Sequence, residues 1–124
     1  MPLYTVTTQA GQLRDDVRAK LASELTALHS EYAGVPKNWV HIIFLEFAQG
    51  SGFTAGEPAA AVSLTLLIRT GRSSEYKKEL LTRLWRLVQV ATNAPDDQIV
   101  LGIQEVPASQ AMEMGVIMPD VTAS

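Results

Sequence analysis

The chain has 124 residues, of which 47% are hydrophobic and 19% charged, a composition that favours one globular domain over disorder. Its net charge of -3, with no basic tail, argues against a nucleic-acid binder. The absence of cysteine excludes disulfides, thiolate metal sites and a cysteine nucleophile.

The first half of the chain predicts a strand, a helix and a second strand. Residues 2–8 are rich in β-branched and aromatic types, which is typical of a strand. Apolar residues then recur at helical spacing from Leu13 to Tyr32, and Gly34 ends this helix. Residues 39–47 form a nearly continuous apolar run, as expected of a strand covered on both faces. The Gly/Ala-rich residues 48–59 are predicted to form a loop or a strained turn.

The second half predicts the same order of elements. Residues 60–69 are typical of a third strand, and Ser73 is suited to cap a second helix that ends before Pro95. Residues 98–106 predict a fourth strand. The tail then contains a short turn and a small apolar strand at 116–118.

An internal repeat relates the two halves. A shift of 59 residues brings several helix, helix-stop and strand residues into register: Leu21 with Leu80, Leu25 with Leu84, Leu28 with Leu87, Pro36 with Pro95, Val40 with Ile99 and Glu46 with Glu105. We interpret residues 1–124 as a single domain with repeats at about 2–58 and 60–119. The predicted fold class is α+β, in which two fused βαβ repeats form a four-stranded mixed sheet with both helices on one face. The other face of the sheet is also apolar, and a symmetric oligomer would cover it.

Pro2 is the first candidate functional residue. Removal of Met1 would expose its secondary amine, and an α-amino group has a pKa of about 7.7–8.0 before burial or nearby cations lower it. A general base works best with a pKa near neutrality. The alternative is that Pro2 is only a small second residue that permits removal of Met1.

Arg69 and Arg72 end the third strand and enter a glycine turn before the second helix. A guanidinium group binds carboxylates through a bidentate fork, so the pair is a candidate carboxylate site. The repeat aligns Pro2 with residue 61, which predicts that the third strand neighbours the first. The alternative is two ordinary surface arginines.

Three further ionisable side chains have either a structural or a chemical interpretation. His29, at the end of the first helix, is either structural or a donor to a substrate carboxylate or carbonyl. Glu113 is either an exposed turn residue or a group that orients a water or a proton. His41 is expected to be packed or at an interface, with no role in chemistry.

The sequence lacks the motifs of several kinds of binding site and of secreted or membrane proteins. There is no phosphate-binding loop and no recognised metal-binding motif, so we predict no cofactor and no metal. The N-terminus lacks the features of a signal peptide, and no apolar run approaches a membrane span. We therefore expect a soluble cytoplasmic protein without a membrane or nucleic-acid partner.

Taken together, these residues resemble the tautomerase superfamily of 4-oxalocrotonate tautomerase-like proteins, most similarly its cis-3-chloroacrylic acid dehalogenase branch. The resemblance covers residues 2 to about 119 and rests on four segments: the Met-Pro start, the Ala-Leu-His29 helix end, the Arg69-x-Gly-Arg72-Ser73 turn and the tail E-V-P-A-S-Q-A-M-E-M-G that contains Glu113. It implies fused βαβ units, a homotrimer and a catalytic N-terminal proline.

The resemblance also implies a role for each candidate. Pro2 would be the general base or acid, Arg69 and Arg72 would bind the substrate carboxylate, and His29 would hold the carboxylate or an attacking water. Glu113 would activate that water together with a tyrosine of the fourth strand.

The chain departs from this pattern at Gly102, which stands where the tyrosine is expected. Loss of one positioned donor can cost several kcal/mol of transition-state stabilisation, about 2.7–4 in a measured case. Trp39 could line the pocket in place of the tyrosine. Keto–enol tautomerisation needs no such water, because a neutral amine and cations suffice.

We therefore predict a cofactor-independent tautomerase that acts on a small 2-keto or enol carboxylic acid. One alternative is a dehalogenase or hydratase of the cis-3-chloroacrylate type, or a lyase resembling malonate semialdehyde decarboxylase. Another is a trimeric binding protein without catalysis.

Overall fold

The computed structural model describes residues 1–121 and contains two long helices packed against one face of a four-stranded sheet. In chain order the elements are β1 (Leu3–Gln9), α1 (Asp15–Ala33), β2 (His41–Phe47), β3 (Phe53–Thr54), β4 (Glu57–Pro58), β5 (Val62–Arg69), α2 (Ser74–Thr92), β6 (Ile99–Val106), β7 (Met112–Glu113) and β8 (Val116–Ile117). Residues 122–124, the end of the predicted domain, lie outside the described residues. No described helix is both long enough and apolar enough to cross a membrane.

The sheet has the strand order β2-β1-β5-β6. Strands β1 and β2 are parallel, β5 and β6 are parallel, and the central pair β1 and β5 is antiparallel. The predicted mixed sheet of two βαβ units is therefore confirmed. Leu3 pairs with His41 on one side and with Leu67 on the other, so the residue before it, Pro2, lies at the end of a central strand.

Each element of the first half recurs in the second half at the spacing of the sequence repeat. The helices start 59 residues apart at Asp15 and Ser74, and both end at a left-handed residue, Gly34 and Asn93. The hairpin β3–β4 recurs as β7–β8. A repeat therefore consists of a βαβ unit followed by a small hairpin.

Residues 48–59, predicted to form a loop or a strained turn, do contain such a turn, but the two short strands of the β3–β4 hairpin flank it. Phe53 pairs with Pro58, and the tight turn between the two strands uses Ala55 and Gly56, whose φ angles are 53° and 77°. The strand on each side of this turn has only two residues, too few to give a strand pattern within a Gly/Ala-rich sequence. In the second repeat, the equivalent hairpin carries Glu113.

The second strand also differs from its prediction. It begins at His41, because residues 37–39 form a 3-10 turn. Within one protomer only one of its faces is covered, since Ile43 and Leu45 are about half exposed, at 49% and 51%. His41 is exposed in one protomer and so is not packed within it, while its predicted place at an interface stays a prediction.

The core lies between the helices and the sheet. It is formed by alternate residues of β1 and β5 and by one face of each helix, and its fully buried members include Tyr4, Val6, Leu21, Leu25, Leu64, Leu66, Leu80, Leu84 and Val88. The Oγ atom of Ser73 accepts a hydrogen bond from the backbone N–H of Tyr76 at 3.0 Å, which confirms the predicted helix cap. This cap fixes the backbone directly after Arg72.

Candidate active site

Pro2 is fully buried at the start of β1. Its carbonyl oxygen accepts a hydrogen bond from the backbone N–H of His41 at 3.1 Å, which ties the N-terminus to β2. The amine of Met1 forms an ion pair with the carboxylate of Glu113 from the β7–β8 hairpin. The N-terminal amine is thus held in a recess and does not project into solvent.

Two arginines lie on one side of this amine. Arg69 and Arg72 line a small cavity of about 20 Å³ together with Met1, His29 and Tyr76. A wider recess of about 480 Å³, which we call the cationic recess, extends from the two arginines toward a further set of residues that includes Trp39, Glu113 and Met114.

Both guanidinium groups are held by contacts. Arg69 donates a hydrogen bond from Nη1 to the carbonyl oxygen of Pro119. The Arg72 guanidinium carbon lies 4.8 Å from the centre of the Tyr76 ring, a cation–π distance. These contacts keep positive charge beside the amine.

Burial, followed by the positive charge of Arg69, lowers the pKa of the Met1 amine below its usual value. Burial removes water that would solvate the ammonium ion, and a nearby cation repels it. The Glu113 carboxylate acts in the opposite sense, because a negative charge favours the ammonium form. The net shift of the pKa is downward, so this amine loses its proton at a lower pH than an exposed one would.

His29 and Tyr4 form a buried pair beneath the arginines. The Tyr4 hydroxyl lies 2.6 Å from Nδ1 of His29, and the two rings meet edge to face. Burial, with smaller contributions from Arg72 and the N-terminus, lowers the pKa of His29 to about 4. Burial also raises the pKa of Tyr4, so both side chains are neutral at pH 7.

A second large cavity, the apolar chamber, opens beside Pro2. Its volume is about 530 Å³. It is lined by Met1, Pro2, Leu3, Asn38, Trp39, His41, Ile42, Ile43, Leu67, Glu113 and Met114. Neither Arg69 nor Arg72 borders it. The chamber shares Trp39, Glu113 and Met114 with the cationic recess, so the two spaces meet beside the N-terminus.

The structure brings all five predicted site residues to this region: Pro2, His29, Arg69, Arg72 and Glu113 line its cavities. Gly102 lies within β6 opposite Thr65 and lines none of the three cavities described above. His41, expected to lie outside the site, lines the apolar chamber.

Sequence reasoning did not single out Tyr4 as a partner of His29. Side chains alternate between the two faces of β1, and this alternation predicts that Tyr4 faces the helices. That placement was the sequence signal available for a contact between Tyr4 and His29. Among residues 1–121, no group of three or more His, Asp and Glu residues is arranged to hold a metal ion.

Comparison with known proteins places the chain in a family context. The family model Tautomerase_3, described as "Putative oxalocrotonate tautomerase enzyme", matches residues 1–124. No curated protein sequence matches the chain.

Several solved structures share the fold. One, described as native Ps01740, is 33% identical with a TM-score of 0.86 and covers 90% of this chain and 99% of that chain. N1, described as a member of the cis-3-chloroacrylic acid dehalogenase family, is 30% identical with a TM-score of 0.88 and covers 96% of this chain and 85% of that chain. A structure described as the Q0 fused 4-OT wild-type symmetric trimer is 20% identical with a TM-score of 0.84 and covers 94% of each chain.

Proposed function

Because the chain belongs to the Tautomerase_3 family, we propose that it is a cofactor-independent tautomerase of small 2-keto or enol carboxylic acids. The observation that carries this proposal is the position of Pro2, which is buried, lines the apolar chamber, and follows Met1, a residue that also lines the small cavity of Arg69 and Arg72. A titratable amine beside fixed cations, in a site that accepts a small molecule, is suited to proton transfer at the carbon next to a carbonyl. The test is enol-to-keto turnover by Pro2→Ala, which should lose most of the wild-type rate.

In the proposed reaction, removal of Met1 leaves the secondary amine of Pro2 as the N-terminus. The substrate carboxylate binds the guanidinium groups of Arg69 and Arg72. The neutral amine removes the proton from the enol hydroxyl and returns it to C3, so that an O–H bond breaks and a C3–H bond forms. The carbon–carbon double bond becomes single and C2–O becomes a carbonyl. The arginines stabilise the enolate charge that develops between the two proton transfers.

His29 is proposed to assist as a neutral hydrogen-bond donor. With both side chains neutral, the Tyr4 hydroxyl can donate to Nδ1 and leave the proton on Nε2. The Nε2–H group would then donate to a substrate oxygen. Tyr4 acts through His29 and is a positioning residue.

Replacing Tyr4 with phenylalanine is expected to remove the hydrogen bond that selects this tautomer. A neutral hydrogen bond contributes about 0.5–1.5 kcal/mol, so kcat/KM should fall by about 3- to 10-fold. The ¹⁵N chemical shifts of the His29 ring report the tautomer directly. Tyr32→Phe is the matched control, since its hydroxyl donates to the Tyr76 carbonyl at 2.9 Å and does not contact His29. Unchanged His29 shifts in Tyr4→Phe would show that Tyr4 does not set the tautomer.

A homotrimer is proposed as the working assembly. The sheet face away from the helices, here called the open face, exposes apolar side chains that include Ile43, Leu45 and Val100. An apolar face of this kind needs a cover, and a symmetric assembly of identical chains provides one. A fold neighbour is itself described as a trimer.

The assembly can be tested at Leu45, which lies on the open face but does not line the apolar chamber. We expect the wild type to have about three times the 13.5 kDa mass of one chain. Leu45→Lys should shift this toward the single-chain mass in sedimentation or light scattering. Val90→Lys is the control, because Val90 is 80% exposed on α2. A monomeric wild type would contradict the proposal.

Hydrolytic dehalogenation or hydration of a three-carbon acid is the second candidate function. It is favoured by the Glu113 carboxylate beside the N-terminal amine and by the similarity to N1. In that reaction a protonated Pro2 would be the acid and Glu113 would activate water. Gly102 carries no hydroxyl where the resemblance implies a water-orienting tyrosine, and this weighs against the reaction only in an assembly that brings β6 to the site, since in one protomer Gly102 lines none of the three cavities. The pH dependence of activity separates the two candidates.

The location and the binding partners of the protein are also proposals. We propose that residues 1–124 act as one domain in the cytoplasm, with a small carboxylate as substrate and identical chains as partners. The net charge of -3 supports the absence of a nucleic-acid partner. A trimeric binding protein without catalysis remains the alternative, and it requires that no proton transfer depend on Pro2.

A further inference from the structure

Two tyrosines stack against each other between the helices, and their hydroxyl groups differ. The ring centres of Tyr32 and Tyr76 lie 4.7 Å apart. The Tyr32 hydroxyl donates to the backbone carbonyl of Tyr76 at 2.9 Å. The Tyr76 hydroxyl, by contrast, has no hydrogen-bond partner among residues 1–121. A phenol hydroxyl can both donate and accept, so this group is available to a ligand.

Tyr76 belongs to the wall of the candidate site. It lines the small cavity of about 20 Å³ together with Met1, His29, Arg69 and Arg72. A cavity of about 10–15 Å³ already holds one water molecule, so this cavity has room for one oxygen-sized group. A carboxylate held by the two arginines can therefore place one of its oxygen atoms there.

Several contacts hold the Tyr76 side chain beside Arg72. The Arg72 guanidinium carbon lies 4.8 Å from the centre of the Tyr76 ring. The backbone N–H of Tyr76 donates to Oγ of Ser73, the residue directly after Arg72, at 3.0 Å. Because the hydroxyl is attached to the ring that Arg72 contacts, a carboxylate bound to Arg72 is within its reach. A ring that is already held by its neighbours loses little conformational freedom when a ligand binds.

The protonation state of Tyr76 makes it a donor. Burial raises the pKa of its hydroxyl, although the positive charge of Arg72 acts in the opposite direction. The phenol therefore keeps its proton at pH 7. Burial and, to a smaller extent, the Tyr76 phenol raise the pKa of Tyr4, so these two phenols lie close enough to interact. Tyr4 in turn contacts His29, which places the Tyr76 phenol with the polar groups beneath the arginines.

From these observations, and resting on the proposed function, we infer that the Tyr76 hydroxyl donates a hydrogen bond to the substrate carboxylate held by Arg69 and Arg72. This role differs from the one that the resemblance implies for a tyrosine at Gly102, because it concerns the carboxylate and not a water molecule. The bond exists both before and during proton transfer, so it stabilises the bound substrate and the transition state equally.

The turnover test removes only the hydroxyl. In Tyr76→Phe we expect KM for phenylenolpyruvate to rise by about tenfold while kcat stays near the wild-type value. Tyr32→Phe is the matched control, since it removes the hydroxyl of the adjacent ring, which is bonded to the backbone. The control should keep its KM but unfold at a lower urea concentration, whereas Tyr76→Phe should unfold at the wild-type midpoint. A purely structural role of Tyr76 would move the midpoint instead of KM.

A binding test keeps the inference independent of catalysis. The probe 3-phenylpropanoate carries a carboxylate but no keto or enol group, so it cannot tautomerise. The side-chain Nε–H signal of Arg72 is followed by NMR during its titration. We expect the Kd of Tyr76→Phe to be about tenfold higher than that of the wild type, and the Kd of Tyr32→Phe to be unchanged. The uncharged 3-phenylpropanamide should leave the signal unshifted.

The outcomes separate the two proposals. An unchanged KM and Kd in Tyr76→Phe overturn the inference and leave Pro2-dependent tautomerisation standing. A fall in kcat without a change in KM also overturns it, because the hydroxyl would then act on the reacting atoms. If the wild type does not convert phenylenolpyruvate, the proposed function fails for this substrate and the titration decides the role of Tyr76 alone. A higher Kd in Tyr76→Phe then supports the carboxylate contact, and an equal Kd, or no binding by the wild type, overturns it.

Discussion

Replacing Pro2 with alanine is expected to lower kcat/KM for enol-to-keto conversion by about 10²- to 10⁴-fold, the usual contribution of a positioned general base. The rigid secondary amine is lost from a buried position that lines the apolar chamber, directly after Met1, which lines the small cavity of Arg69 and Arg72. Stopped-flow or continuous absorbance of the enol measures the effect. Pro95→Ala is the control, because Pro95 is exposed at the equivalent of the Pro36 position.

This measurement requires knowing whether Met1 has been removed from the purified protein. While Met1 remains, the nitrogen of Pro2 is part of a peptide bond and cannot act as a base. Intact mass of the purified protein therefore accompanies the kinetics. Full turnover by a chain that retains Met1, or by Pro2→Ala, would contradict the proposed mechanism.

The pH profile of the wild type gives the direction of proton transfer. A base acts in its deprotonated form, so kcat/KM should rise with pH and level off above the pKa of the Pro2 amine. That pKa should lie below the usual value of about 7.7–8.0, since burial and Arg69 already lower the pKa of the Met1 amine. Activity that instead falls as pH rises would identify Pro2 as an acid and favour the dehalogenase candidate.

The helices and long strands were predictable because their patterns are local. Apolar residues three and four apart indicate α1 and α2, and a capping serine marks the start of the second helix. The repeat added information that no single element contains. By aligning Pro2 with residue 61 it predicted that β5 neighbours β1, and the antiparallel pairing of Leu3 with Leu67 confirms this.

The features that escaped prediction depend on contacts between distant parts of the chain. Tyr4 and His29 are 25 residues apart, and their hydrogen bond requires the docking of α1 on β1. The apolar chamber joins the 3-10 turn at Trp39 to the tail at Met114. The exposed face of β2 escaped prediction for a different reason. An apolar run in the sequence predicts that a strand is covered, but it does not show whether the same chain or a neighbouring chain covers it.

The second large effect is expected at Arg72, which precedes α2 and lines the small cavity with His29. A hydrogen bond to a charged group contributes about 1.5–3 kcal/mol, so Arg72→Ala should lower kcat/KM by about ten- to a hundredfold. The loss should appear mainly in KM if the arginine binds substrate and transition state equally, and mainly in kcat if it stabilises the enolate. Steady-state kinetics at several substrate concentrations separates these cases.

The chain supplies a closely matched control for Arg72. Arg83, also associated with the second helix, lies 5.0 Å above the Tyr32 ring, as Arg72 lies 4.8 Å above Tyr76. Arg83→Ala therefore removes a similar cation–π contact, together with the exposed ion pair between Arg83 and Glu79, outside the candidate site and should leave kcat/KM near the wild-type value. Arg72→Lys retains the charge but loses the bidentate fork, and is expected to fall between wild type and alanine. Equal effects of Arg72→Ala and Arg83→Ala would assign Arg72 to stability, because only a carboxylate-binding arginine distinguishes the two positions.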